Sequence, residues 1–117
     1  MTVKINTKDG QIELTDDVIA TVVGGATTEI FGVVGMASKS AIKDNFQALL
    51  RKENYSKGVV IKTLEDGRIA VDVYTVMSYG VKISEVSRNI QERVKFNLES
   101  QLGISVDAVN VFIQNIK

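Results

Sequence analysis

The spacing of apolar residues is most regular in the last third of the chain, where they recur every three or four positions. That spacing places them on one side of a helix, with charged residues on the opposite side. The residues of this apolar stripe are Ile83, Val86, Ile90, Val94 and Leu98. Gly103 follows the last turn, at the position where a helix ending in a left-handed residue favours glycine. The pattern predicts a long amphipathic helix over residues 83–102.

Phe96 does not fit this pattern, because helical spacing places it on the polar side of the helix near Glu92. An aromatic residue in that position is either a lone exposed side chain, one covered by a loop of the same chain, or a contact for a partner. Phe96 and Glu92 are therefore candidates for a partner surface.

A second helix is predicted near the N-terminus, after a small hairpin that turns at Gly10. Thr15 or Asp16 can cap this helix, and its apolar residues keep helical spacing as far as Ile30. Its other side carries only small, uncharged residues, which allow a close approach by another group. These residues are Ala20, Thr21, Gly24, Thr27 and Thr28, and all except Thr21 are candidates for a partner surface. The approaching group is either a partner protein or a third predicted helix over residues 40–53.

Residues 32–36 are interpreted as a turn followed by a short buried strand. The spacing of Gly32 and Gly35 also matches the GxxG loop with which KH-type domains clamp an RNA backbone. Two valines occupy the middle positions, where a phosphate clamp needs exposed and often basic residues. The structural interpretation is favoured, and an RNA-binding module is kept as an alternative function.

Two further strands flank Asp66-Gly67, a strong hairpin signal, and a last strand is predicted over residues 106–113. Pairing of Glu65 with Arg68 would place Val60 and Leu64 on the core face of the hairpin. The long helix then joins two strands of one sheet. We expect one α/β (α+β) domain over residues 1–117, with two layers, a mixed sheet of four to five strands, and two to three helices.

Composition narrows the possible functions. The 14 basic and 14 acidic residues cancel, which argues against a general binder of nucleic acid. The chain has no cysteine and no histidine, so thiol chemistry, imidazole catalysis and the usual zinc ligands are absent. Asp72 has no partner for acid–base catalysis and is interpreted as a solvent-side strand residue. We predict no catalytic residue, no cofactor, no metal and no membrane-spanning segment.

With these residues identified, the sequence resembles the alkaline shock protein twenty-three family, also called the Gls twenty-four family, over nearly the whole chain. The shared residues lie in segments 10–14, 17–20, 32–36 and 57–59. The most specific matches are at 76–80, 83, 85–86, 90–92, 94–95, 103 and 109–111, and they include Gly80, Gly103 and Asn110. Residues 54–58 look closest to the YloU-like branch.

The resemblance implies a cytoplasmic, non-enzymatic protein of Gram-positive bacteria, connected with cell-envelope homeostasis and stress response. Some relatives are held near the membrane by a small integral-membrane partner, and others are linked to fatty-acid synthesis. We therefore expect an adaptor that acts through protein–protein contacts, either with such an anchor or with further copies of itself. A regulator of lipid metabolism that binds a small molecule is a further alternative.

Overall fold

The chain contains both helices and strands in the computed structural model, which describes residues 2–40 and 49–117. The elements are, in order, β1 (Thr2–Thr7), β2 (Gly10–Thr15), α1 (Asp16–Thr28), β3 (Val33–Met36), a 3-10 helix (Lys52–Gly58), β4 (Val59–Thr63), β5 (Ile69–Met77), α2 (Ile83–Leu102) and β6 (Val106–Ile116). Within the described residues, β3 to β6 form a four-stranded sheet, and β1 and β2 form a separate hairpin. The predicted α+β class is confirmed.

The strand β5 lies in the middle of the main sheet. Along one of its edges runs β6, which is parallel to it. Along the other edge lie β4 and β3, both antiparallel to β5: β4 opposite residues 69–73 and β3 opposite residues 75–77. Because α2 connects the parallel pair, the predicted strand–helix–strand unit is confirmed.

One face of the sheet is covered by the helices, and Ile69, Val71 and Val73 of β5 are fully buried there. The opposite face carries a row of three polar residues from neighbouring strands. Asp72 Oδ2 lies 3.3 Å from Lys62 Nζ, and Asp72 Oδ1 accepts a hydrogen bond of 2.9 Å from Asn110 Nδ2. Asp72 thus lies on the side of the sheet away from the helices, but it is only 7% exposed, so its interpretation as a solvent-side residue was wrong about its burial.

The pairing of β4 with β5 differs from the prediction by one residue. Thr63 is opposite Ile69, and the Leu64 N–H donates to the Arg68 carbonyl, so the turn contains one more residue than predicted. Gly67 has φ +88°, which suits the left-handed position of this longer turn. The predicted faces of β4 were therefore wrong: its buried residues on the helix side are Val59 and Ile61.

Both predicted helix boundaries that depend on capping are confirmed. The Thr15 side chain accepts a hydrogen bond from the Val18 N–H at the start of α1. The second boundary is the C-terminal end of α2, which stops at Gly103 with a left-handed φ of 69°. The stripe residues Val86, Ile90, Val94 and Leu98 are all buried in the core.

The third predicted helix, over residues 40–53, falls mostly on positions 41–48, which lie outside the described residues. After that gap, residues 49–51 are not helical, and the chain continues directly into the 3-10 helix. This 3-10 helix packs against α1 and leads into β4.

Candidate functional site

A groove of about 400 Å³ lies between the C-terminal end of α1 and the middle of α2. It is open to solvent and contains two aromatic side chains, several polar groups and one half-buried isoleucine. The lining residues are Glu29, Ile30, Phe31, Asn89, Glu92, Arg93 and Phe96. We call this feature the aromatic groove.

One wall of the aromatic groove is the outward side of α2. Asn89, Glu92, Arg93 and Phe96 follow one another at intervals of three, one and three residues, so all four lie on one helical face. This face points away from the buried stripe, and 67% of Phe96 is therefore exposed. Phe96 and Glu92, which the sequence singled out, are brought together here.

The other wall is the short connection between α1 and β3. The Ile30 N–H donates to Thr27 O at 3.2 Å, and the Val33 N–H donates to Ile30 O at 3.1 Å. These turns hold Ile30 against the core and leave Phe31 91% exposed. Phe31 was not among the residues predicted from the sequence. The available signal was a large aromatic residue just after the helix and directly before a glycine.

The residues that line the groove carry more negative than positive charge. Arg93 Nη1 lies 3.6 Å from Glu29 Oε2, an exposed ion pair across the groove. Among the described residues, Glu92 makes no ion pair. Two carboxylates and one guanidinium leave the groove with a formal charge of minus one, so the apolar surface of the two phenylalanines has an acidic border.

The second predicted partner surface is corrected by the structure. Ala20, Gly24 and Thr27 are buried and Thr28 is half-buried, whereas Thr21 at the edge of this face is exposed. A side chain at Gly24 would overlap the ring of Tyr55, which belongs to the 3-10 helix. The close approach is therefore made by the chain itself, through a segment other than the helix predicted over residues 40–53.

The two threonines of this face bond back onto their own helix. Thr27 Oγ1 donates to the Val23 carbonyl at 2.8 Å, and Thr28 Oγ1 donates to the Gly24 carbonyl at 2.9 Å. Their hydroxyl groups are thereby satisfied without a partner molecule. The small face of α1 is an internal packing surface.

The remaining motif residues have structural positions. Gly32 has φ +100°, and a Cβ there would lie 2.9 Å from a Val86 methyl group. Gly35 lies in β3 against Leu49, Gly80 lies in the loop before α2 with φ +88°, and Asn110 holds Asp72. Because residues 33–36 form a strand paired with β5, the two glycines do not present the loop that a KH-type clamp requires.

The described residues contain no group of three acidic, histidine or cysteine side chains arranged to hold a metal ion. An aspartate with a lowered pKa lies outside the groove, at the turn between β4 and β5. There the Arg68 N–H and guanidinium donate to Asp66 and lower the pKa of that carboxyl group. In the part of the chain covered by the structure, neither helix is both long and apolar enough to cross a membrane.

The whole chain has close relatives. It is 83% identical to the uncharacterized protein Spy1614 of Streptococcus pyogenes serotype M6 over 117 residues, which are 100% of this chain and 96% of that protein. It is 45% identical to the uncharacterized protein YloU of Bacillus subtilis, over 100% of this chain and 97% of that protein. Identity to Spy1535 of the same Streptococcus is 35%, over 92% of this chain and 79% of that protein. No solved structure matches the chain.

A family model covers almost the full sequence. It matches residues 4–117 and describes the alkaline shock protein twenty-three family, with a cell envelope-related function. The resemblance to the YloU-like branch agrees with the full-length match to the Bacillus protein. The chain therefore belongs to the alkaline shock protein twenty-three family, whose function is related to the cell envelope.

Proposed function

We propose that this protein is a non-enzymatic adaptor that binds a protein partner through the aromatic groove. The observation that carries the proposal is the joint exposure of Phe31 and Phe96 on either side of one groove. Exposed aromatic side chains grouped on a fixed surface are typical of protein-binding sites, where they supply much of the binding energy. A lone aromatic residue would not carry this argument.

The groove also indicates the chemistry of its partner. An apolar side chain can occupy the space between the two phenylalanines, while Glu92 can pair with a lysine or arginine beside it. Segments of membrane proteins that lie next to a span on the cytoplasmic side are enriched in lysine and arginine. A small integral-membrane protein with an apolar and basic segment at that position fits both properties.

This partner would place the protein at the cytoplasmic side of the membrane, in line with the cell envelope-related function of its family. The adaptor would connect that anchor to envelope homeostasis during stress. Phe31 and Phe96 have the role of apolar contacts, and Glu92 has the role of pairing with a basic side chain.

The test is a quantitative cross-linked pull-down from the cells that produce the protein, comparing wild type with Phe96→Gln and Lys95→Gln. Glutamine is a good helix former, so both variants preserve α2. Lys95 is exposed next to Phe96 but does not line the groove, and it serves as the matched control. We expect a membrane protein to be recovered with wild type and Lys95→Gln, and to be lost with Phe96→Gln.

A synthetic peptide of the partner's basic segment should then bind wild type and fail to bind Phe96→Gln. Equal recovery of every protein with wild type and Phe96→Gln would contradict the proposal. Native mass spectrometry separates it from the small-molecule alternative, because a ligand bound to the purified protein would add a defined mass. Salt-sensitive RNA retention would instead favour the nucleic-acid alternative.

A further inference from the structure

The outer edge of β6 has no partner strand in the part of the chain that the structure describes. Among the described residues, β6 pairs with β5 alone. Each strand residue directs its N–H and C=O to the same side, and successive residues alternate. The Phe112 carbonyl accepts a hydrogen bond from Thr75 Oγ1 of β5 at 3.3 Å, so it points inward. Val111 and Ile113 therefore direct their main-chain groups outward.

The first half of this edge is protected by α2. Glu99 Oε2 accepts a hydrogen bond from the Val106 N–H at 3.3 Å. Gln91 Nε2 donates to the Val109 carbonyl at 2.9 Å. No side chain of the described residues provides the same contact at Val111 or Ile113. Within the described part of the chain, α2 thus covers the edge as far as Val109, and the outward groups of Val111 and Ile113 receive no such contact.

The open part also lacks the usual safeguards of an exposed strand. Natural edge strands carry lysine, other charges or proline, which prevent pairing with another chain. Residues 108–116 contain none of these, although Asp107 and Lys117 stand on either side. Phe112 is 43% exposed within this stretch. Since the stretch is uncharged, two copies of it can lie side by side without repulsion.

We propose that two copies of this chain pair through β6, antiparallel to each other, about a two-fold axis at Phe112. Val111 of one copy then lies opposite Ile113 of the other, and the two residues exchange both main-chain hydrogen bonds. Phe112 lies beside its own equivalent, with the Cβ atoms about 4.5–5.5 Å apart. The two main sheets become one continuous sheet.

The edge of β6 is complementary to the same edge of a second copy of the chain. The two-fold axis makes the same surface serve both sides, so the outward donors and acceptors of Val111 and Ile113 meet their own complements. This pairing goes beyond the proposed adaptor function and does not depend on it, because the aromatic groove lies between α1 and α2. A dimer would present two grooves.

The first test uses single cysteine variants, because the chain has no cysteine of its own. Under mild oxidation, we expect Phe112→Cys to form a disulfide-linked dimer within the pre-existing pair. Phe96→Cys is the matched control, since Phe96 is also an exposed phenylalanine but lies in the groove. Cross-linking of Phe96→Cys as fast as or faster than that of Phe112→Cys would overturn the proposal.

The second test measures mass by sedimentation velocity over a range of protein concentrations. Wild type should reach twice 12.8 kDa. Phe112→Lys brings like charges together and should raise the dissociation constant of the dimer at least about tenfold. A wild-type monomer at every concentration would overturn the proposal and would leave the edge for a strand of another protein.

Val111→Pro is a second variant that keeps the test decisive. Phe112 stacks on Tyr74, with ring centroids 4.8 Å apart, so its replacement also removes a contact within the fold. Proline at Val111 removes an outward N–H that makes no bond within the sheet, which an edge strand tolerates. A folded Val111→Pro protein, checked by circular dichroism, should be monomeric. If it remains a dimer, β6 is not the interface.

Discussion

The small face of α1 and Phe96 in the aromatic groove both depart from the charged surface that is usual on the outer side of a helix. The structure gives them opposite roles. Tyr55 covers Gly24 on the small face, whereas Phe96 stays 67% exposed in the groove. Small residues indicate that another group comes close, but they do not indicate whether it belongs to the same chain. A large aromatic residue among charges is a better sign of an open surface.

The difference has a simple physical cause. A glycine and its small neighbours gain little from burial by themselves, so they are useful only if a large group fills the space above them. Tyr55 does this within the domain. Phe96 already carries a large apolar surface, and no described residue covers it. The two regions should therefore respond differently to substitution.

The largest expected effect on stability is at the small face. Gly24→Val would force its side chain into the Tyr55 ring, and overpacking of this kind lowers the free energy of unfolding by about 1–3 kcal/mol. Urea denaturation measures the loss. Gly25→Ala is the matched control, because a Cβ there meets no atom within 4 Å. It should stabilise the helix by up to about 1 kcal/mol.

If Gly24→Val keeps its stability but loses the partner, the small face is an open binding surface, and the comparison is wrong. Adding Tyr55→Ala to Gly24→Val sharpens the test. Removal of the ring should cancel most of the overpacking, so the effects of the two substitutions should not be additive.

At the aromatic groove we expect a loss of binding with little loss of stability. Phe96→Gln removes an exposed side chain, so the free energy of unfolding should change by less than about 0.5 kcal/mol. The free energy of binding to the partner peptide should become less favourable by about 2 kcal/mol if Phe96 is a central contact. Isothermal calorimetry and urea denaturation of the same variant measure the two quantities. A large loss of stability would show that Phe96 has a packing role, like Gly24.

A smaller effect is expected at the ion pair across the groove. Arg93→Gln removes the contact with Glu29, which is exposed on both sides. Pairs of this kind contribute about 0–1 kcal/mol, and salt weakens them. The free energy of unfolding, measured at low and high salt, should differ from wild type at low salt only. An equal loss at both salt concentrations would indicate that Arg93 acts through packing.

The smallest effect lies outside both regions, at Asp66. Hydrogen bonds from the Arg68 N–H and guanidinium lower the pKa of this carboxyl group below its usual 3.8. A lowered folded-state pKa stabilises the protein above pH 3.8, and this contribution disappears as the pH falls through the folded-state pKa. NMR titration of Asp66 should show the lowered pKa. Arg68→Gln should return it only part of the way towards 3.8, because the Arg68 N–H, the larger cause, is kept. Stability at neutral pH should change little, because both side chains are exposed.

Features that depend on residues close together in the sequence could be predicted. The stripe from Val86 to Leu98, the Thr15 cap and the Gly103 stop depend only on residues close together in the chain. The pairing of β4 was wrong by one residue, because the turn at Gly67 admits two lengths. Lys62 could have decided between them: the predicted pairing would have placed it on the core face, where a lysine is costly.

Only the α2 side of the candidate site could be predicted from the sequence. Glu92 and Phe96 are neighbours on one helix, so periodicity could bring them together. Phe31 enters the groove from the connection after α1, and Tyr55 reaches α1 from the 3-10 helix. These contacts depend on how α1, α2 and the 3-10 helix pack, and no spacing along the sequence encodes that arrangement.

The parallel pairing of β5 with β6 also has a consequence for the time course of folding. The hydrogen bond from Asn110 to Asp72 joins residues 38 positions apart, whereas β4 meets β5 through a short turn. Local hairpins form in about 1–10 μs, but distant pairing must first overcome the entropy of closing a long loop. We therefore expect β6 to join late. Until it does, the apolar central strand has one unfilled edge, and we expect aggregation to compete with folding at that stage.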